Sequence, residues 1–181
     1  MKQGQLERIL KGCIDIPGIA KELIAQGFAS PITKKIFPTG ADFFALKNDV
    51  NRIKRLPDGW FRDEFLSLLH RRKVEISPVE FEKHVPRQPA QAHIASLSGK
   101  GYIYRMFFTF EWVTAFDYTK YNPALVESYN VLGLKTDDWY WAEEDQAGNP
   151  GYARIVGIED GGAYDDYKDN SNYVRPVRLS Q

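Results

Sequence analysis

The run Tyr102-Ile103-Tyr104-Arg105-Met106-Phe107-Phe108-Thr109-Phe110-Glu111-Trp112-Val113 constrains this chain more than any other stretch. Aromatic and β-branched side chains at this density suit a pleated, half-buried surface, so the run reads as a strand or a pair of strands. The remainder of the second half keeps that character. Trp139-Tyr140-Trp141-Ala142 predicts a short strand. Tyr152 to Ile158 predicts another, opened by the turn Ala147-Gly148-Asn149-Pro150. Asn122-Pro123 begins a turn or short helix through Tyr129, Gly161-Gly162 turns the chain, and Tyr173 to Arg178 forms a last strand.

Upstream the pattern is helical. Leu6, Ile9 and Leu10 share one spacing, and Ile19, Ala20, Leu23 and Ile24 make a second stripe that Gly27 stops. A third helix runs from Asp42 through Phe43, Phe44, Leu46, Val50 and Ile53, ended by Leu56-Pro57-Asp58-Gly59. A fourth spans about Arg62–Arg71, with Phe65, Leu68 and Leu69 on one face. Ser77-Pro78-Val79-Glu80 reads as a capping box opening a short helix through His84. Pro86, Pro89 and the polar residues to Lys100 read as a connection. The expected fold class is α+β: a helical N-terminal region, residues 1–55, then an α+β domain over 56–181, or one continuous domain.

With 43% hydrophobic and 27% charged residues among 181, the chain is globular in composition. Twenty-four basic and 24 acidic residues cancel, which excludes a uniformly polybasic nucleic-acid binder. The balance is uneven along the chain. Residues 1–92 carry 16 Lys/Arg against 11 Asp/Glu, and residues 93–181 carry 8 against 13. Two faces of one domain that attract each other account for this, as does a basic contact surface on the first half. No stretch of 18 apolar residues is present, so no membrane insertion is expected. Met1 to Glu7 lack a signal-peptide core, and the expected location is cytoplasmic or within a phage particle.

The ending Lys168-Asp169-Asn170-Ser171-Asn172-Tyr173-Val174-Arg175-Pro176-Val177-Arg178 resembles the closing strand of bacterial and phage C-type-lectin-like domains of the DUF1566 type. Tyr140-Trp141-Ala142-Glu143-Glu144 followed by Tyr152-Ala153-Arg154-Ile155-Val156 resembles the strands that precede it in that family. Leu56-Pro57-Asp58-Gly59-Trp60 with Glu64-Phe65 and Leu68-Leu69 is similar to its helix entry, although Phe61-Arg62-Asp63 departs from the pattern. The similarity is concentrated in residues 137–178. It implies a domain of twisted antiparallel strands and long loops, and a setting in bacterial surface or phage receptor-binding proteins. On that closing strand Arg175 and Arg178 are expected to be structural anchors that pin loops through carbonyls and carboxylates.

Catalytic chemistry finds little support. Cys13 is the single cysteine, so no intrachain disulfide or cysteine metal cluster forms. His70, His84 and His93 lack metal-binding spacing, no G-x-S-x-G elbow occurs, and Ser98-Gly99-Lys100-Gly101 lacks P-loop spacing. Glu143, Glu144 and Asp145 form one acidic cluster; Glu159, Asp160, Asp165, Asp166 and Asp169 form another. Solvated loop carboxylates explain both, and a calcium site is the alternative. No cofactor and no metal are expected.

Aromatics are more informative. Tyr118, Tyr121, Trp139, Tyr140, Tyr164 and Tyr167 lie beside Asp, Lys and Asn in loop-like contexts. Exposed rings with polar neighbours suit sugar stacking or a protein interface. The expected function is therefore non-catalytic binding of a protein or glycan through these six residues. The alternative is a nucleic-acid-associated or inhibitor protein. It would act through Lys34, Lys35, Arg52, Lys54, Arg55, Arg71 and Arg72, with a loose helix-turn-helix over Ile19 to Ile36.

Overall fold

The computed structural model describes residues 45–99 and 101–181. The helices expected over Leu6–Leu10 and Ile19–Ile24, the helix-turn-helix pattern, Cys13, Lys34 and Lys35 lie outside the described residues. So does the start of the third helix, which is helical at residues 45–47 and then turns.

The described part is α+β, built on two five-stranded sheets. The first contains β1 (Ile53–Arg55), β2 (Phe61–Asp63), β3 (Val74–Ile76), β10 (Val177–Ser180) and β5 (Tyr102–Arg105), in that order and antiparallel throughout. The second contains β4 (Lys83–Val85), β9 (Asn172–Val174), β6 (Trp139–Asp145), β7 (Tyr152–Gly157) and β8 (Ala163–Tyr167). Here β6 and β9 run parallel, and the other pairs are antiparallel.

Several expected elements change type. Leu56-Pro57-Asp58-Gly59 ends no helix. It turns the hairpin between β1 and β2, with Leu56 N donating to Trp60 O at 2.7 Å and Gly59 at φ +87°. Only a glycine adopts that left-handed conformation without strain. Helix α1 (Glu64–His70) begins later than expected because Asp63 caps it: Asp63 Oδ1 accepts from Leu66 N at 2.9 Å. Phe65, Leu66 and Leu69 form its buried face. The segment after Ser77 makes one 3-10 turn, Val79–Phe81, and then the strand β4.

The polar connection expected after Pro86 is largely helix α2 (Arg87–Ser96). Its prolines sit just before and within the first turn, where a backbone N–H has no intrahelical acceptor, so they start the helix instead of breaking it. Ala90 and Ile94, four apart, are its buried apolar pair, and Arg87 at its start is buried as well. The aromatic run itself splits into β5 and helix α3 (Thr109–Ala115). Glu111 accounts for the switch: Phe108 N donates to its Oε2 at 2.7 Å, satisfying a group at the helix start that would otherwise lack a partner.

Strand alternation sends neighbours to opposite faces, and both faces of the second sheet are covered. Tyr140 and Val156 enter the main core with Phe61, Phe65, Ile76, Phe107, Trp112, Phe116, Tyr129 and Val177. Trp141, Ala153 and Ile155 pack on the other side against Ala90 and Ile94 of α2. The expected last strand is two: β9 belongs to the second sheet and β10 to the first, with Arg175-Pro176 crossing between them.

Candidate functional site

Four of the six candidate aromatics gather around one turn, Gly157 to Gly162, between β7 and β8. The turn is closed by Gly157 N donating to Gly162 O at 2.9 Å and Gly161 N to Gly157 O at 3.0 Å. Trp139, across from Gly157 on β6, lies over that glycine: a Cβ there would stand 3.1 Å from the indole. Tyr164 folds back over Gly162, where a Cβ would fall 2.3 Å from its ring. The two rings meet edge to face, centroids 4.8 Å apart at 82°. Trp139 is 37% exposed and Tyr164 42%. Because Trp139 pairs with Gly157 and Tyr164 with Ile155, both project from the sheet face that α2 covers farther along. They continue that apolar face past the helix into solvent.

Asp160 borders the pair, and other carboxylates lie on the adjoining segments. Asp160 Oδ1 accepts from Gly162 N at 2.8 Å and Asp160 Oδ2 from the Tyr164 hydroxyl. That hydrogen bond pushes the Tyr164 phenol up to about 12. Tyr121, 70% exposed, donates its hydroxyl to Glu159 Oε1, which also raises its phenol. Asp138 O accepts from Ile158 N at 3.4 Å, which sets Asp137 and Asp138 beside the same turn. Tyr118 underlies the turn: with Phe116 it lies 3.1 Å from where a Cβ on Gly161 would be, and burial raises its phenol.

The other two candidates lie elsewhere. Tyr140 is fully buried, so it offers no ring to a ligand. Its hydroxyl donates to Glu82 Oε2 at 2.9 Å and accepts from Lys135 N at 2.8 Å. Tyr167, 57% exposed, packs against Tyr152 in a tilted ring pair with centroids 4.2 Å apart, at the far end of the β7–β8 hairpin. Tyr164 and Tyr167 stand on the strand β8, which the sequence reading placed in a loop.

Arg175 is buried at the crossing between sheets. It donates to Ser77 O at 2.9 Å, Glu82 Oε2 at 2.8 Å and Leu132 O at 2.6 Å. Arg178 donates to Glu75 Oε2 at 2.8 Å and to Asp58 Oδ2, and its guanidinium stands between the rings of Trp60 and Tyr102, 4.2 and 4.3 Å from their centroids.

The acidic clusters are engaged by the fold. Glu143 accepts from Met106 N, Glu144 from Thr109 N, and Asp145 from Lys168. Asp165 pairs with Arg154, and Asp166 accepts from Asn170 and Asn172. Among the described residues no group of three or more His, Cys, Asp or Glu is placed to hold a metal ion. The histidines are dispersed. His70 Nε2 lies 2.6 Å from Glu111 Oε1, His84 packs at a tilt against Tyr173, and His93 Nε2 lies 2.7 Å from Phe81 O.

The basic alternative loses a central member. Arg52 is buried, with two hydrogen-bonding nitrogens on Asp63 and further bonds to Thr114 and Tyr129. It has no surface to offer a phosphate. Lys54 is exposed and pairs with Glu64 at 3.1 Å.

Sequence reasoning named Glu159, Asp160 and the Gly161-Gly162 turn only as possible calcium ligands and a chain reversal. The signal joining them to the aromatics was the spacing Gly157–Gly162–Tyr164: two bare positions where a ring can lie flat. No helix among the described residues is long and apolar enough to cross a membrane. No protein-family model matches the chain, and no curated protein matches it.

Proposed function

We propose that the chain is a non-catalytic binding module that holds a protein or glycan on the aromatic surface around the Gly157–Gly162 turn. One observation carries the reading: Trp139 and Tyr164 stay partly in solvent as an ordered pair, seated on glycines and flanked by carboxylates. Exposed aromatics held in one geometry give contact area at low entropy cost. The segment that carries the C-type-lectin-like resemblance, residues 137–178, also supplies β6, β7, β8 and β9, four of the five strands of this sheet. The resemblance and the aromatic surface thus fall on one layer, which supports a recognition role of the kind found in phage and mobile-element proteins.

A glycan array and a protein pull-down, followed by titration at low and high salt, test the reading. Binding should fall on Trp139→Ala and Tyr164→Ala and change modestly with salt. Affinity that collapses by orders of magnitude with salt, and ignores both substitutions, would instead indicate phosphate contacts and counterion release.

A further inference from the structure

We propose that the Trp139–Tyr164 corner is a receptor for a cationic side chain, foremost an arginine guanidinium, on a polypeptide partner; this rests on the binding reading above and names the ligand class. The two rings stand nearly perpendicular and both are partly in solvent, so the corner presents aromatic face to an incoming group. A planar guanidinium stacks on an aromatic face and is attracted by the ring quadrupole.

The corner is also negatively charged. A Cβ on Gly157 would stand 2.7 Å from Asp160 Oδ1 and 3.1 Å from the Trp139 ring, so that carboxylate and the indole border one small space. Glu159, Asp138 and Asp137 lie on the two segments joined by the Ile158 N to Asp138 O bond. Arg154 projects from the opposite face of β7 and is paired with Asp165, so it does not neutralise them.

The hydrogen bonds at the corner run toward the carboxylates. The Tyr164 and Tyr121 hydroxyls already donate into Asp160 and Glu159. Each carboxylate oxygen accepts more than one hydrogen bond, so acceptor capacity is what the corner offers. A sugar brings donors and acceptors in similar number, whereas a guanidinium brings donors alone, together with the matching charge. The protein itself combines the same partners in another arrangement: Arg178 lies over the rings of Trp60 and Tyr102 while bonded to Asp58 and Glu75.

The test is calorimetric titration of the full chain with three probes: a glycine-spaced arginine hexapeptide, the same peptide with citrulline for arginine, and a neutral hexasaccharide such as chitohexaose. The arginine peptide should bind. Citrulline, which keeps the shape and loses the charge, should weaken binding about tenfold. Trp139→Ala and Asp160→Asn should each do the same in variants that still unfold cooperatively, and Tyr164→Phe should retain the ring contact. Equal binding of the arginine and citrulline peptides would overturn the proposal, as would arginine binding untouched by Trp139→Ala. Trp139-dependent binding of the hexasaccharide alone would overturn the cation proposal and leave the aromatic reading standing. No Trp139-dependent binding of any probe, together with an empty glycan array and pull-down, would overturn both.

Discussion

Arg175 donates to Glu82 Oε2 at 2.8 Å at the point where the backbone leaves the second sheet for the first. The same oxygen accepts the Tyr140 hydroxyl at 2.9 Å, so a single carboxylate ties the crossing segment to β6. Removing one member of a buried, hydrogen-bonded ion pair costs about 3–5 kcal/mol, because its partner is left charged and alone. Arg175→Ala should lose stability in that range by denaturant unfolding. Arg175→Lys should recover only part of it, since one ammonium cannot reproduce the guanidinium fork that serves Ser77 O, Glu82 and Leu132 O. Arg178→Ala should also melt well below wild type, leaving Glu75 unpaired by that strand.

Tyr140→Phe keeps the buried ring and removes the hydroxyl shared by Glu82 and Lys135 N. The expected cost is about 1–2 kcal/mol of stability with ligand affinity unchanged. Affinity lost at unchanged stability would place Tyr140 in the binding surface after all.

Arg52 and Asp63 should behave as one unit. Arg52→Ala strands the Asp63 carboxylate, and Asp63→Ala strands Arg52 and also uncaps α1. The double variant should be less destabilised than the two single losses added together, by about 0.5–3 kcal/mol in a double-mutant cycle.

Glu111 gives a pH dependence of defined sign. Burial alone would raise its carboxyl, but hydrogen bonds from His70 and Arg105 and the Arg105 charge bring it below the usual range. A carboxyl lower in the folded than in the unfolded chain contributes stability in full above its unfolded value, about 4.3. That contribution is lost as the pH falls through the folded value. Unfolding midpoints taken below about pH 5 should drop more steeply in wild type than in Glu111→Gln.

Gly162→Ala should disturb the candidate site and little else. A Cβ there collides with the Tyr164 ring, which has solvent to swing into, so the ring pair separates. The expected result is weakened ligand binding and altered tyrosine-ring signals by NMR, with nearly unchanged melting. Unaltered Trp139–Tyr164 contacts in the variant would contradict it.

The elements legible in the sequence are those whose residues carry their own reason. Phe65, Leu68 and Leu69 fall at helical spacing, and two of them are buried on α1. Trp139 to Ala142 and Tyr152 to Ile158 are aromatic and β-branched, and they form β6 and β7. The misses are residues whose role depends on distant partners. Pro86 and Pro89 punctuate a loop and start a helix equally well, and only the apolar cover that Trp141 and Ile155 require decides between them. Glu111 turns an aromatic run into a helix because Arg105 and His70 meet it in the core. Ala163-Tyr164-Asp165-Asp166-Tyr167 is charged and reads as a loop, yet β7 recruits it as an edge strand, where charge guards against pairing with other chains. At the site, Trp139 and Tyr140 are adjacent and alike, and one is in solvent while the other is sealed in the core. Strand alternation turns Tyr140 into the main core and Trp139 to the opposite face, but which of the two faces is sealed depends on the elements that pack there.

The crossing from β9 to β10 also bears on how the chain is made. β10 lies between β3 and β5, and β9 lies between β4 and β6. Both come after every other strand in chain order. On the ribosome, where chains emerge from the N-terminal side, the earlier strands must therefore wait with unsatisfied edges until Asn172–Ser180 arrives to fill two gaps at once. Non-local closure of this kind slows folding. The nascent protein should depend on chaperone shelter until Asn172–Ser180 has emerged, and its two sheets should reach protease resistance together.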